Sequence, residues 1–176
     1  MSDNSSRKPS RWFYCTLGAT IAGYVLMSVF TGSFVFWNWR KLKFDDFELV
    51  SFTQGWGTLK QDRNLDGGAI VLKGVRYSRG LATHANSEIH IKLKGHHTYF
   101  SGKCGYPDHK SSAKIECSVK GKNKVLFTSS PLDSSSREAA FRVDTQGETD
   151  LTLVVRSLED NIDYAHAVWV DLRTSD

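Results

Sequence analysis

Glu88-Ile89-His90-Ile91-Lys92-Leu93-Lys94 alternates polar and apolar residues without a break. A strand sends successive side chains to opposite faces, so this stretch has one face for a core and one for water; a helix would scatter the three aliphatic residues around its axis. The alternation returns in Lys114-Ile115-Glu116-Cys117-Ser118-Val119-Lys120, and less strictly around Val125-Leu126-Phe127, Phe141-Arg142-Val143 and Leu151-Thr152-Leu153-Val154-Val155. Segments near 48–53, 69–75, 97–104 and 165–173 have strand composition as well, and Gly, Asp, Asn and Ser separate them. The count comes to about eight or nine strands with no sustained helical period. That number favours an all-β fold of two packed sheets, whose apolar faces form one core. No internal repeat is found.

The N-terminal part has another texture. Phe13 to Phe36 is a run of 24 residues without a charged side chain. As a helix it would span about 36 Å, enough for a bilayer core of roughly 30 Å. Trp12 and Tyr14 at one end and Trp37 and Trp39 at the other sit where interfacial aromatic rings are favoured, and Arg11 and Arg40 bracket them. The expectation is a single transmembrane helix over 12–39, after a short tail over 1–11 and before a juxtamembrane linker and first strand over 40–53. The alternative is a cleaved signal peptide, but its apolar region is shorter, about 7–15 residues, and no clear small-x-small site follows a short core here. Lys and Arg are balanced on the two sides of the span, so charge does not orient it. A short tail, one span and then the whole folded domain suit an extracytoplasmic domain. Asn4-Ser5-Ser6 is the only sequon, and glycan there would show the opposite topology. Gly18 and Ala22, Ala19 and Gly23, and Ser28 and Gly32 are small pairs four apart, which permits partner helices in a membrane complex.

Charge excludes one class of partner. The chain has a formal net charge of +4, from 23 basic and 19 acidic side chains. Six of the basic residues and only Asp3 among the acids lie before residue 44, so the domain is close to neutral and has no footprint for nucleic acid. Cys104 and Cys117 are the only cysteines outside the apolar run, which holds Cys15. The turn-rich stretch from Tyr106 to Ser112 lies between them, so they can face each other across a hairpin as a disulfide, in keeping with an oxidising compartment. Two buried thiols are the other reading, since Cys117 shares a strand face with Ile115 and Val119.

Gly80-Leu81-Ala82-Thr83-His84-Ala85-Asn86-Ser87-Glu88, preceded by Tyr77, resembles the signature of the NPCBM family (novel putative carbohydrate-binding module, carbohydrate-binding module family 51), usually Y-x-x-G-L-G-T-H-A-x-S-E. Ala82 replaces one glycine. The likeness extends to Gly55-Trp56-Gly57 with Asp62-Arg63, to Phe100 through Gly105, and to Ala165-His166-Ala167-Val168-Trp169-Val170-Asp171 against the family's D-H-A-D-W-A-D. It therefore covers about residues 54–174. The resemblance implies a jelly-roll β-sandwich of the galactose-binding-like kind, non-catalytic, with glycan as its partner and galactose-type sugars as the expected class. Calcium is the cofactor that some members bind. Two family acids are Ala165 and Val168 here, and the acid after Gly105 is displaced by Pro107 to Asp108. Lost carboxylates mean fewer acceptors for sugar hydroxyls or a cation.

Sugar recognition requires a flat aromatic face for the C–H side of the ring and fixed polar groups for its hydroxyls. Trp56, Tyr77 and Trp169 are the candidate platforms, with Tyr106 and Tyr164 as further aromatics, and His84, Asn86, Glu88 and His166 are the candidate polar groups. The competing reading makes Thr83, His84 and Ser87 a hydrogen-bonded corner leading into the Glu88 strand and puts Trp169 in the core. Trp56, between two glycines, is the best exposed platform. Catalysis has less support: no G-x-S-x-G elbow or paired-carboxylate arrangement can be placed in the strand pattern. His96-His97 reads as a turn, His90 as the wet face of its strand, and Asp160-Asn161-Ile162-Asp163 as an acidic turn without the glycine and glutamate of a calcium loop. The sequence thus supports a membrane-anchored carbohydrate-binding module, with a ligand-free accessory subunit of a membrane complex as the alternative.

Overall fold

A computed structural model describes residues 44–108, 113–145 and 147–176. The tail, the expected span over 12–39 and the linker up to residue 43 lie outside the described residues. Among those that are described, no helix is long and apolar enough to cross a membrane.

Two five-stranded sheets face each other. The first has the order β1-β6-β11-β8-β9, built from β1 (Phe47–Gln54), β6 (Ser87–Leu93), β11 (Asp150–Ser157), β8 (Ile115–Lys120) and β9 (Val125–Thr128). The second has the order β10-β7-β12-β5-β2, built from β10 (Glu138–Asp144), β7 (Tyr99–Gly105), β12 (His166–Ser175), β5 (Gly80–His84) and β2 (Lys60–Gln61). A separate hairpin joins β3 (Ile70–Leu72) to β4 (Val75–Tyr77). All pairings within the sheets are antiparallel. The alternation in β6 works as expected: Ile89, Ile91 and Leu93 are buried, while Glu88, His90 and Lys92 are exposed. Opposite them, Leu81, Phe100, Phe141, Ala167 and the fully buried Trp169 complete the core. Trp169 meets Phe141 edge to face, with ring centroids 5.9 Å apart.

The structure departs from expectation in three places. Residues 69–75 form a hairpin and not one strand. Its two-residue turn places Lys73 (φ 51°) and Gly74 (φ 77°) in the left-handed region that such turns require. Asp108 holds the turn, accepting the backbone N–H of Lys73 at 3.0 Å and of Gly74 at 2.6 Å. Ile70 and Leu72 then cover Ala82, Val168 and Val170 on the outer face of the second sheet. Second, Gly80–His84 is a strand buried along its whole length, because the core lies on one face and that hairpin on the other. A strand buried on both sides has no alternation to read. Third, Cys104 and Cys117 form a disulfide, Cα atoms 6.4 Å apart, but the bond does not span a hairpin. It joins β7 of one sheet to β8 of the other through the core, since the chain changes sheets between them. Closing a loop of this length contributes about 3 kcal/mol.

The register defines two ends. Phe47 pairs with Leu93 and Gln54 with Ser87, so β1 runs the length of the first sheet, about 26 Å for its eight residues at ~3.3 Å each. The end at which the chain arrives, here the root, also carries Ser175, paired with Tyr99. There Lys94 donates to the carbonyls of Phe44 (2.6 Å) and Asp45 (3.0 Å), and Phe44 stacks on Phe47 with centroids 4.4 Å apart. Arg79 pairs with Asp45 at 2.5 Å and lies over the Phe44 ring. The hydrogen bond from Arg79, and then its charge, hold the Asp45 carboxyl below the usual carboxylate range.

Candidate functional site

The opposite end opens into a cleft of about 590 Å³ between the Gly55-Trp56 loop, the 64–68 turn and the loop that precedes β12. Trp56 is its most exposed large side chain, with 65% of its surface open. Local chemistry holds it there. Gln54, the last residue of β1, accepts from the Thr83 hydroxyl at 3.0 Å and donates to the Trp56 carbonyl at 2.6 Å, which pins the loop to β5. Both flanking glycines are needed. A Cβ on Gly55 would stand 2.6 Å from the Ala85 carbonyl oxygen, and Gly57 has φ 72°.

His84 closes β5 and His166 opens β12, and the two are register partners on neighbouring strands. Their rings stand 5.3 Å apart, and the Trp56 ring lies 5.8 Å from that of His84. His84 is buried, and its Nδ1 lies 2.6 Å from the Ala85 carbonyl oxygen. A carbonyl only accepts, so Nδ1 carries the hydrogen and a neutral ring keeps Nε2 as an acceptor. Ile162, Asp163 and the exposed Tyr164 form the far wall, and Leu65 and Asp66 the rim. The Asp163 loop is shaped by Asn161, which accepts from the Asp163 N–H at 2.9 Å and donates to its carboxylate at 2.8 Å. An aromatic plate beside imidazoles and carboxylates, on an apolar floor, can hold a polyol with one hydrophobic face.

The sequence candidates divide among several places. Trp56, His84 and His166 meet in the cleft, and Tyr164 joins them. Trp169 and Tyr106 are core residues with no face to offer a ligand. Tyr77 lies in a separate groove of about 610 Å³ toward the root, where the Lys103 ammonium donates to its hydroxyl at 3.3 Å. That bond, and then Glu138, raise the Lys103 pKa. Asn86 and Glu88 line a third depression, of about 380 Å³. There Asn86 accepts the Ser157 N–H at 2.8 Å and Glu88 pairs with Lys120 at 3.6 Å. Leu65, Asp66, Ile162 and Asp163 were not identified as cleft residues by sequence; they sit in loops that only the folded chain brings together.

Among the described residues no three His, Cys, Asp or Glu side chains gather as metal ligands. Asp108 spends its carboxylate on the hairpin turn and on Arg137 at 3.4 Å. Ala165 and Val168, at two acidic positions of the family motif, are fully buried.

A family model described as "NPCBM/NEW2 domain" matches residues 40–175. Among solved structures, CBM51 from Clostridium perfringens GH95 in complex with methyl-galactose is 29% identical, with a TM-score of 0.67 over 73% of this chain and 94% of that one. CBM51-2 from Clostridium perfringens ZmpB, solved with GlcNAc and with INT domains, is 21% identical with a TM-score of 0.66, over 72% of this chain and 29% of that one. Among curated proteins, Alpha-1,3-galactosidase B of Akkermansia muciniphila is 26% identical over 129 residues, which are 70% of this chain and 16% of that protein. The chain therefore spans a small part of that relative's length.

Proposed function

Because the chain belongs to the NPCBM/NEW2 domain family, we propose that it is a non-catalytic glycan-binding module whose sugar site is the Trp56–His84–His166 cleft. The observation that carries the reading is Trp56, fixed by Gln54 with its indole open to solvent beside two imidazoles. Galactose-type sugars are the proposed class. The likeness to a module solved with methyl-galactose supports it. The hydrophobic run over 12–39 anchors the module to a membrane, and the buried Cys104–Cys117 bond suits display on the oxidising, extracytoplasmic side. One shallow site binds weakly, so many copies on a surface act through avidity.

The alternative, an accessory subunit that has lost its ligand, drew on the missing acids at Ala165 and Val168. Val168 packs beneath the β3–β4 hairpin and Ala165 belongs to the main core, so their apolar character removes no lining residue of the cleft. A glycan array probed with the full chain in mild detergent tests the proposal. Saturable binding that is lost in Trp56→Ala, with an unchanged melting temperature, supports it. A blank array together with a stoichiometric co-purifying membrane protein favours the accessory subunit.

A further inference from the structure

We infer that the cleft reads two linked sugar rings, the second of them resting on Tyr164. The inference rests on the glycan reading above and adds to it a second subsite and the length of the ligand. Among the described residues, four other than glycine hold φ in the left-handed region, and Tyr164, at φ 57°, is the one aromatic. It is the third residue of a turn that the Ala165 N–H closes onto the Ile162 carbonyl at 3.0 Å. A left-handed third residue marks a type II turn, where glycine or asparagine is usual and a bulky side chain is disfavoured. The turn is braced from both sides. Asn161 accepts from the Asp163 N–H at 2.9 Å and donates to its carboxylate at 2.8 Å. Ala165 is fully buried and its carbonyl accepts the Ala85 N–H at 2.8 Å, while the His166 N–H donates to the carbonyl of Tyr164 itself at 2.8 Å. These bonds keep Tyr164 in a backbone conformation that its side chain disfavours, and 57% of its surface stays open on the cleft wall. Backbone strain that the surroundings hold in place gathers at ligand clamps.

Size points the same way. A hexose has a dozen heavy atoms. Were each to take the ~30 Å³ of a liquid water, one ring would fill about 360 Å³ of a cleft of about 590 Å³. Trp56 stands on one wall and Tyr164 on another. A ring stacked on Trp56 therefore leaves space beside it, and a second aromatic face lines that space.

The test is calorimetric titration of the full chain in mild detergent, with methyl galactoside against a panel of galactose-terminated disaccharides of different linkage. At least one disaccharide is expected to bind about fivefold more tightly than methyl galactoside, the gain of one aromatic contact. Tyr164→Gly should cut that preference to less than about twofold, with the loss falling on the disaccharide. It should melt no lower than the parent protein, because glycine accepts the left-handed φ without strain. Tyr164→Asn, also tolerant of that region, should behave alike, and Tyr164→Phe, which keeps the ring, should keep the preference. A preference that survives loss of the ring, or that disappears in Tyr164→Phe, overturns the inference. Equal weakening of one-ring and two-ring ligands overturns it as well, as does a lower melting temperature in both ringless variants, since Tyr164 would then hold the loop and not a sugar. Methyl galactoside that binds as tightly as every disaccharide removes the second subsite and leaves the glycan reading standing. If neither methyl galactoside nor any disaccharide binds, the glycan reading falls and this inference falls with it.

Discussion

At the root of the sandwich, Arg79 with Asp45 and Arg173 with Asp171 form ion pairs, and His97 hydrogen-bonds Asp176, around a chain already held by Lys94. At the other end, Trp56 and Tyr164 stand open to solvent beside two imidazoles. The root pairs charges and fixes the start of the first sheet; the cleft leaves aromatic area uncovered. Exposed aromatic area costs stability and is retained where a partner covers it. On the proposed reading the two ends separate holding from binding, although both are cut from the same two sheets.

Removing the disulfide that joins the two sheets is expected to have the largest effect. Cys104→Ala/Cys117→Ala should lower the unfolding free energy by about 3 kcal/mol, read by denaturant titration. A loss confined to binding would contradict the cross-core role of the bond. Next is Trp56→Ala, which should cost about 2 kcal/mol of binding, or roughly thirtyfold in Kd, with little change in melting temperature. Gln54→Ala should weaken binding severalfold by freeing the Trp56 loop, again with a small stability change. Arg79→Ala breaks the contrast from the root side: it should lower the melting temperature slightly and leave glycan affinity unchanged. Any affinity loss there would mean that the ends are coupled.

The smallest effect lies on the loop between β9 and β10. Asp133 is held at about 2, from the usual 3.8, by the Ser135 hydroxyl and the Ser136 and Ser135 backbone N–H groups. A depressed carboxyl stabilises the fold fully above its ordinary value and loses that contribution as pH falls through about 2. Asp133→Asn should therefore melt lower than the parent protein at pH 5, and the difference should shrink toward zero as pH approaches 2. A difference that persists at pH 2 would show that the loop is held by something other than this carboxylate.

Legibility in the sequence followed burial. β6 has one wet face and one dry face, and β8 and β11 keep that alternation except at the buried Ser118 and Val154, so alternation exposed all three. β5 is covered on both faces by the core and the β3–β4 hairpin, so it has no alternation and is missing from the expected strands; the competing reading placed only Thr83, His84 and Ser87 in a corner. Thr83 and His84 instead belong to β5 and Ser87 to β6, and Ala85 and Asn86 carry the chain between the two sheets. The cysteine pair was visible, whereas its path through the core was not, because spacing alone does not say when a chain changes sheets. In the cleft, Trp56 was marked by its flanking glycines and His84 and His166 by the family-like motifs. Glu88 and Asn86 belong to the same motif as His84, yet they open onto another depression across the corner. Asp66 and Asp163 are nearly a hundred positions apart in short turns, and no local pattern links them.

Hydrogen exchange on the full chain, with and without saturating methyl galactoside, asks most directly whether the cleft is the sugar site. New protection is expected at 54–57, 84–86 and 162–166, with none at the root groove. Protection at 75–80 and 171–173 instead, around Tyr77, would contradict the assignment of the site to Trp56, His84 and His166.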